Sequence, residues 1–268
     1  MVRACKGWGV CQPAAVIPLK DNIPTRRTPI LTIAIIAICV FVYFFLQKGG
    51  LKGPSDENVI KYAAIPYEIT HPGDQCVPGA QPACAPAAVQ ERRFNTNFPA
   101  TWLTILFAMF MHGGILHLGG NMLFLWIFGN NIEDSMSRWR FALFYLLGGL
   151  VATFGQVIAN PSSDIPTLGA SGAIAAVLAG YAVLYPRARV LTLIILIIFF
   201  TVIELPALFV LGFWFLLQVL SASSQSLGGG GVAYFAHIGG FVFGLLFIRL
   251  FANRVHENYD SNTRIPVY

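Results

Sequence analysis

Five polar side chains sit within or beside stretches that are otherwise almost wholly apolar: His112, His117, Asn121, Ser171 and His237. Hydrogen-bonding and ionisable groups are expensive in such surroundings and by default mark function. A serine hydroxyl becomes a nucleophile when a base takes its proton, and a neutral imidazole suits that task near pH 7. Asn amides, imidazole N–H groups and the serine's own backbone N–H can donate to the oxyanion that such an attack creates. Together these residue types describe acyl transfer. No Asp or Glu lies near His237 in the chain, so a Ser171–His237 dyad is expected rather than a triad. Taken singly, each residue has a plainer reading. Ser171 lies in Gly169-Ala170-Ser171-Gly172, and small residues of this kind mostly serve helix packing. A lone histidine in a span can simply donate to a neighbouring carbonyl. His71 and His256 fall in a loop and a tail and receive no role.

The elements that must position these groups are membrane helices. Of the 268 residues, 56% are hydrophobic and 11% charged, against about 25% charged in a soluble domain. Six apolar segments emerge, at roughly 29–47, 116–133, 141–158, 170–185, 205–220 and 232–251. The expected fold is an all-α membrane protein, a six-transmembrane-helix bundle with a large first extracytoplasmic loop (48–115). Residues 1–28 form a cytoplasmic tail on this reading, 29–252 the membrane domain and 253–268 a second cytoplasmic tail. The tail before Val16 reads as unstructured, and the first apolar run reads as an uncleaved signal anchor. Two stretches are apolar but too short to cross. Segment 190–203 reads as interfacial or buried, leading into the fifth span, and 103–111 dips into the outer leaflet.

Charge sets the orientation. Of 17 Lys and Arg, 12 fall before the first span, in the 134–140 and 186–189 connections, or at and after the end of the sixth. The connections 159–169 and 221–231 contain none. Basic residues favour the cytoplasmic side, so both termini lie inside and the polar cluster opens outside. The formal net charge of +5 is therefore topogenic, and no basic stripe with interleaved aromatics suggests nucleic acid. The five cysteines do not form a metal set. Cys76 and Cys84 fall in the outer loop, where oxidising conditions could join them; Cys5, Cys11 and Cys39 are left single.

Depth ties the serine to the histidine. Ser171 lies 14 residues from Tyr185, at the inner end of its span, and His237 lies 14 from Phe251. At 1.5 Å per residue both rise about 21 Å, to the same level. Gly172, Ala176 and Gly180 repeat at four-residue spacing, and His237, Gly240 and Gly244 share one helix face, so the two backbones can approach closely. His117 and Asn121, four apart, also share a face. On this reading His112 and Asn121 supply the oxyanion hole, while His117 is structural, near the site, with a tight helix contact through Gly119 and Gly120.

The run His112-Gly-Gly-Ile-Leu-His117-Leu-Gly-Gly-Asn121, then Gly169-Ala-Ser171-Gly, then Ala236-His237-Ile-Gly-Gly240-Phe-Val-Phe-Gly244, resembles the rhomboid intramembrane proteases of bacterial or archaeal type. The resemblance covers about residues 100–252 and the first span. It implies a six-helix fold, a Ser171–His237 dyad, and His112 and Asn121 near the oxyanion. The implied activity is endoproteolysis of transmembrane segments near the outer face, with no metal or cofactor. The implied partners are transmembrane protein substrates and the lipid bilayer, in a cytoplasmic membrane. Two departures stand out. Many members carry Trp-Arg in the first loop, where this chain has Trp102-Leu103, and some carry an aromatic four residues after the nucleophile, where it has Ala175. A catalytically silent binder of transmembrane clients is the alternative. A small transporter is disfavoured because the spans below Ser171 and His237 are almost wholly apolar. Substrates would enter sideways, past Phe213, Trp214 and Phe215 and the glycine run 228–231.

Overall fold

A computed structural model describes residues 14–94, 99–196, 199–225 and 232–253. The glycine run 228–231, Cys5, Cys11 and the tail from residue 254 with His256 lie outside the described residues. In chain order the elements are β1 (Ala14–Asp21), α1 (Ile30–Phe41), α2 (Asp56–Tyr62), α3 (Pro66–Thr70), β2 (Asp74–Cys76), β3 (Cys84–Pro86), α4 (Ala87–Phe94), α5 (Thr101–Ala108), α6 (Ile115–Phe124), α7 (Asn130–Asp134), α8 (Arg138–Ala159), α9 (Ser171–Leu184), β4 (Arg189–Leu196), β5 (Phe199–Pro206), α10 (Ala207–Gln225) and α11 (Tyr234–Phe251). A π-helical turn, Val42–Leu46, extends α1, and another, Leu125–Gly129, joins α6 to α7 into one rod. The apolar segments thus become helical rods. Arg138–Ala159 and Tyr234–Phe251 are long and apolar enough to cross a bilayer, and Ile30–Leu46, Ser171–Leu184 and Ala207–Ser223 are shorter apolar helices.

Helix α9 forms the centre. Every residue from Gly172 to Tyr181 is buried, as expected for a helix that is apolar all round. Its main neighbours are α8 and α11, and α10 covers a smaller face of α11. Helix α1 packs across the α6–α7 rod at Gly129, where an added Cβ would sit 3.4 Å from Thr32 Oγ1.

The entry of α1 is held by a distant carboxylate. Pro29 offers no side-chain cap, so the first-turn N–H groups need another acceptor. The Leu31 N–H donates to Glu133 Oε1 at 3.0 Å, and the Thr32 N–H and hydroxyl donate to Glu133 Oε2 at 2.8 and 2.9 Å. The Arg26 N–H donates to Asp134 Oδ2 at 2.8 Å. The two acidic residues of α7 therefore receive the chain where it enters its first apolar helix.

The all-α expectation is corrected by two small sheets, and the expected lack of structure before Val16 is corrected by a strand. Residues 190–196 and 199–203 lie in the antiparallel β4–β5 pair, whose register runs from Arg189↔Pro206 to Leu196↔Phe199 and which leads into α10. β-Branched residues crowd this stretch, and they favour a pleated surface. The N-terminal tail contributes β1, which pairs antiparallel with β4 from Ala14↔Leu196 to Asp21↔Val190. The strand thus begins two residues before Val16, inside the stretch expected to lack structure. Its pairing partner lies far along the chain, so no local periodicity announces it. In the outer loop Cys76 and Cys84 face one another across β2–β3 and are joined by a disulfide.

Asp21 closes this side of the bundle. Its Oδ2 accepts hydrogen bonds from Asn131 Nδ2 and the Tyr181 hydroxyl, both at 2.6 Å. Burial pushes its carboxyl up from 3.8 to about 7, although the Tyr181 hydrogen bond pulls the other way. The folded protein therefore holds this proton at pH values where the unfolded chain has released it. The associated stability is complete below about pH 3.8 and is lost as pH rises through about 7. Thermal unfolding in detergent should show a midpoint that declines between about pH 4 and pH 7. Asp21→Asn, which keeps an acceptor oxygen and cannot titrate, should flatten that decline.

Candidate active site

Ser171 is the first residue of α9, presented by a turn that only glycine suits. Gly169 has φ +135° and donates its N–H to the Ala108 carbonyl at 2.8 Å, tying the turn to the end of α5. An added Cβ there would meet the His117 ring at 3.0 Å and Ser171 Oγ at 3.3 Å. The N–H groups of the first turn of α9 have no intrahelical carbonyl to bond. His237 occupies the first turn of α11. Its Nε2 lies 2.7 Å from Ser171 Oγ.

Backbone contact makes this distance possible. A Cβ at Gly240 would collide with the Gly172 carbonyl oxygen, and one at Gly244 with the Ala176 carbonyl oxygen. Each glycine of α11 therefore lies directly against the α9 main chain. Gly180 faces Ile248 of α11, whereas a Cβ on Gly172 would point at Ala152 of α8, 2.5 Å away. The small residues of α9 thus serve two neighbours.

Ser171, His237, His117, Asn121 and Trp214 line one cavity of about 680 Å³, which reaches the first loop at Leu51 and Gly53. Asn121 Nδ2 is buried and donates to no acceptor among the described residues. The Gly113 N–H donates to His117 Nδ1 at 3.3 Å, which leaves the hydrogen on Nε2. That nitrogen would lie 3.1 Å from the same Gly169 Cβ position that Ser171 Oγ approaches. His112 sits elsewhere. Its side chain is fully buried, outside the cavity wall, with its ring 5.3 Å from that of His117 and neither ring nitrogen bonded. The expected tight contact at Gly119 and Gly120 is not formed, since a Cβ at either position meets nothing within 4 Å. His117 therefore faces the cavity that Ser171 and His237 line, and the His112 ring lies behind it.

Three further residues complete the surroundings. Gln47, at the end of the first rod, brackets the His112 main chain: its Nε2 donates to the His112 carbonyl at 3.0 Å and its Oε1 accepts from the His112 N–H at 2.9 Å. On α10, Gln218 Oε1 lies 2.7 Å from His237 Nδ1, and the Trp214 ring lies 5.7 Å from the imidazole. Trp214 thus stands beside the histidine, on the opposite helix from Ala175, where an aromatic was missed. Gln218 carried a signal in sequence: it is a polar residue in an apolar span, one turn from Trp214.

A family profile described as the rhomboid domain matches residues 99–254, more than half of the chain. The chain belongs to the rhomboid family. Rhomboid relatives include the mitochondrial "Presenilin-associated rhomboid-like protein" of Bos taurus, 26% identical over 178 residues, covering 65% of this chain and 45% of the relative. "Rhomboid protein 1, mitochondrial" of Saccharomyces cerevisiae is 32% identical over 158 residues, covering 56% and 42%. "Rhomboid protease GluP" of Bacillus subtilis is 30% identical over 146 residues, covering 54% and 23%. The chain therefore spans less than half the length of each of these relatives. As a rhomboid it is a membrane protein, which accounts for its apolar helices.

The glycine contacts give a direct test of how this rhomboid aligns its serine and histidine. Gly240→Ala should lower unfolding stability by about 1–3 kcal/mol through overpacking. It should also lengthen the distance between Ser171 Oγ and His237 Nε2 in a solved structure of the variant. Gly119→Ala, which adds a methyl in open space, should change neither.

Proposed function

We propose that this rhomboid is an intramembrane serine endopeptidase that cleaves transmembrane segments of other membrane proteins near the extracytoplasmic face. The observation that carries the reading is the 2.7 Å contact between Ser171 Oγ and His237 Nε2 at the wall of a cavity with free donors. Neutral His237 accepts the Ser171 proton as Oγ attacks the scissile carbonyl. The resulting oxyanion receives hydrogen bonds from His117 Nε2, Asn121 Nδ2 and the Ser171 N–H. His237 then delivers the proton to the leaving amine, which departs with the C-terminal fragment. A water, deprotonated by His237, attacks the acyl-enzyme and frees Ser171. The donor role expected of His112 passes to His117 on this proposal, because the buried His112 ring cannot reach the cavity. His112 instead supports the His117 ring from behind.

Six helical rods are assigned as six membrane spans: α1 with its π turn, α6 through α7, α8, α9, α10 and α11. Both termini then lie on the cytoplasmic side, and the site opens outward. The Cys76–Cys84 disulfide suits the oxidising exterior, and the basic residues suit the inside. The membrane is proposed to be the cytoplasmic one. The mitochondrial names of the bovine and yeast relatives favour a second reading, the mitochondrial inner membrane, and fractionation of the expressing cell separates the two. Substrates enter beside α10, whose Phe213, Leu216 and Leu220 are exposed and whose contact with the bundle is slight. Their helices must unwind locally, so helix-weakening residues belong near the cut.

Co-expression with single-span reporter proteins tests the assignment. The parent should release a fragment, and Ser171→Ala and His237→Ala should release none. A fluorophosphonate should label Ser171 only while His237 is present, whereas a silent client binder would not label. His117→Ala should lower kcat by about 10²–10³. A fragment that persists in Ser171→Ala, or parent activity in His117→Ala, would contradict the respective assignment.

A further inference from the structure

We infer that Gln218 is a positioning residue for His237, holding the imidazole in the tautomer and orientation that let it act as base. The inference rests on the Ser171–His237 reading and extends it to a third side chain. Gln218 Nε2 faces the Trp214 carbonyl of its own helix at 3.4 Å, so Oε1 is the atom turned toward His237. An amide oxygen can only accept, so the hydrogen must sit on Nδ1 of His237. That assignment leaves the Nε2 lone pair directed at Ser171 Oγ. The opposite tautomer would carry a hydrogen on Nε2 and could not take the serine proton.

Orientation follows from the same contacts. The imidazole is held through both nitrogens, at 2.7 Å on each side, and the Trp214 ring lies against it at 5.7 Å. When His237 takes the proton, its Nδ1–H becomes the donor of a charge-assisted hydrogen bond to Gln218. A neutral amide stabilises the imidazolium less than a carboxylate would, while fixing its direction equally well. Gln218 and Trp214 lie one turn apart on α10, so a single helix carries both contacts to His237.

Fluorophosphonate labelling of Ser171 reads the reactivity of the pair without requiring a protein substrate to enter. Gln218→Leu removes the acceptor and should slow labelling about tenfold, the effect of losing one hydrogen bond, with a like fall in kcat and an unchanged KM. Gln218→Glu keeps an acceptor oxygen and adds charge. It should restore labelling and move the acid limb of the pH–rate profile to higher pH, because a nearby carboxylate favours the imidazolium. A purely structural role would lower the thermal midpoint in both variants and leave that limb in place. A folded leucine variant that labels at the parental rate overturns the inference. If the leucine variant does not fold, an unmoved acid limb in the glutamate variant overturns it. Failure of the parent itself to label at Ser171 would instead overturn the underlying serine–histidine reading.

Discussion

The close approach of α9 and α11 is the constraint on which the site depends. The Ser171 hydroxyl and the His237 imidazole sit on separate helices and meet at 2.7 Å where those two backbones are in direct contact. Gly240 and Gly244 make that contact by resting on the carbonyls of Gly172 and Ala176. Within a bilayer, lipid tails are as apolar as leucine, so hydrophobic burial gives little drive for helices to associate. Tight van der Waals contact must supply it, and small residues allow the most contact. The same feature that holds these helices together therefore also brings Ser171 and His237 together.

Polar contacts do related work at the other end of the bundle. Glu133 closes the first turn of α1, and Asp21 joins β1, α7 and α9 through Asn131 and Tyr181. Glu133 Oε1 and Oε2 and Asp21 Oδ2 meet donors whose hydrogen bonds would otherwise be unmet in a poorly hydrated place. These contacts span more than a hundred residues of sequence. They give the rods a defined relation that apolar side chains alone would specify weakly.

Much of the fold was legible because membrane helices are announced by length and composition. The two stretches rich in small residues around Ser171 and His237, and the matching distance of each from the end of its helix, pointed to their meeting. The β1–β4–β5 sheet was not legible. Its central strand looks like a short apolar run, and its partner in the tail acquires a role only through pairing at a distance. The placement of the His112 and His117 rings was also hidden, since five residues along the chain give no indication of which ring faces the cavity. That depends on the Gly113 N–H and on Gln47, whose contacts exist only in three dimensions. Gln218 was readable in principle: it obeys the same rule of polar residues in apolar spans that singled out Ser171 and His237.

The pairing of β1 with β4 also carries a rule of parity. Strands joined edge to edge in one sheet cannot lie on opposite sides of a bilayer, so the chain between Asp21 and Val190 must pass through the membrane an even number of times. The bridge between Ala64 and Thr167 imposes the same evenness on the stretch they enclose, and the Asn253 N–H bonded to the Ser135 carbonyl imposes it on a third. Hydrogen bonds that close loops of chain thus limit, independently of charge, how the rods can alternate across the lipid.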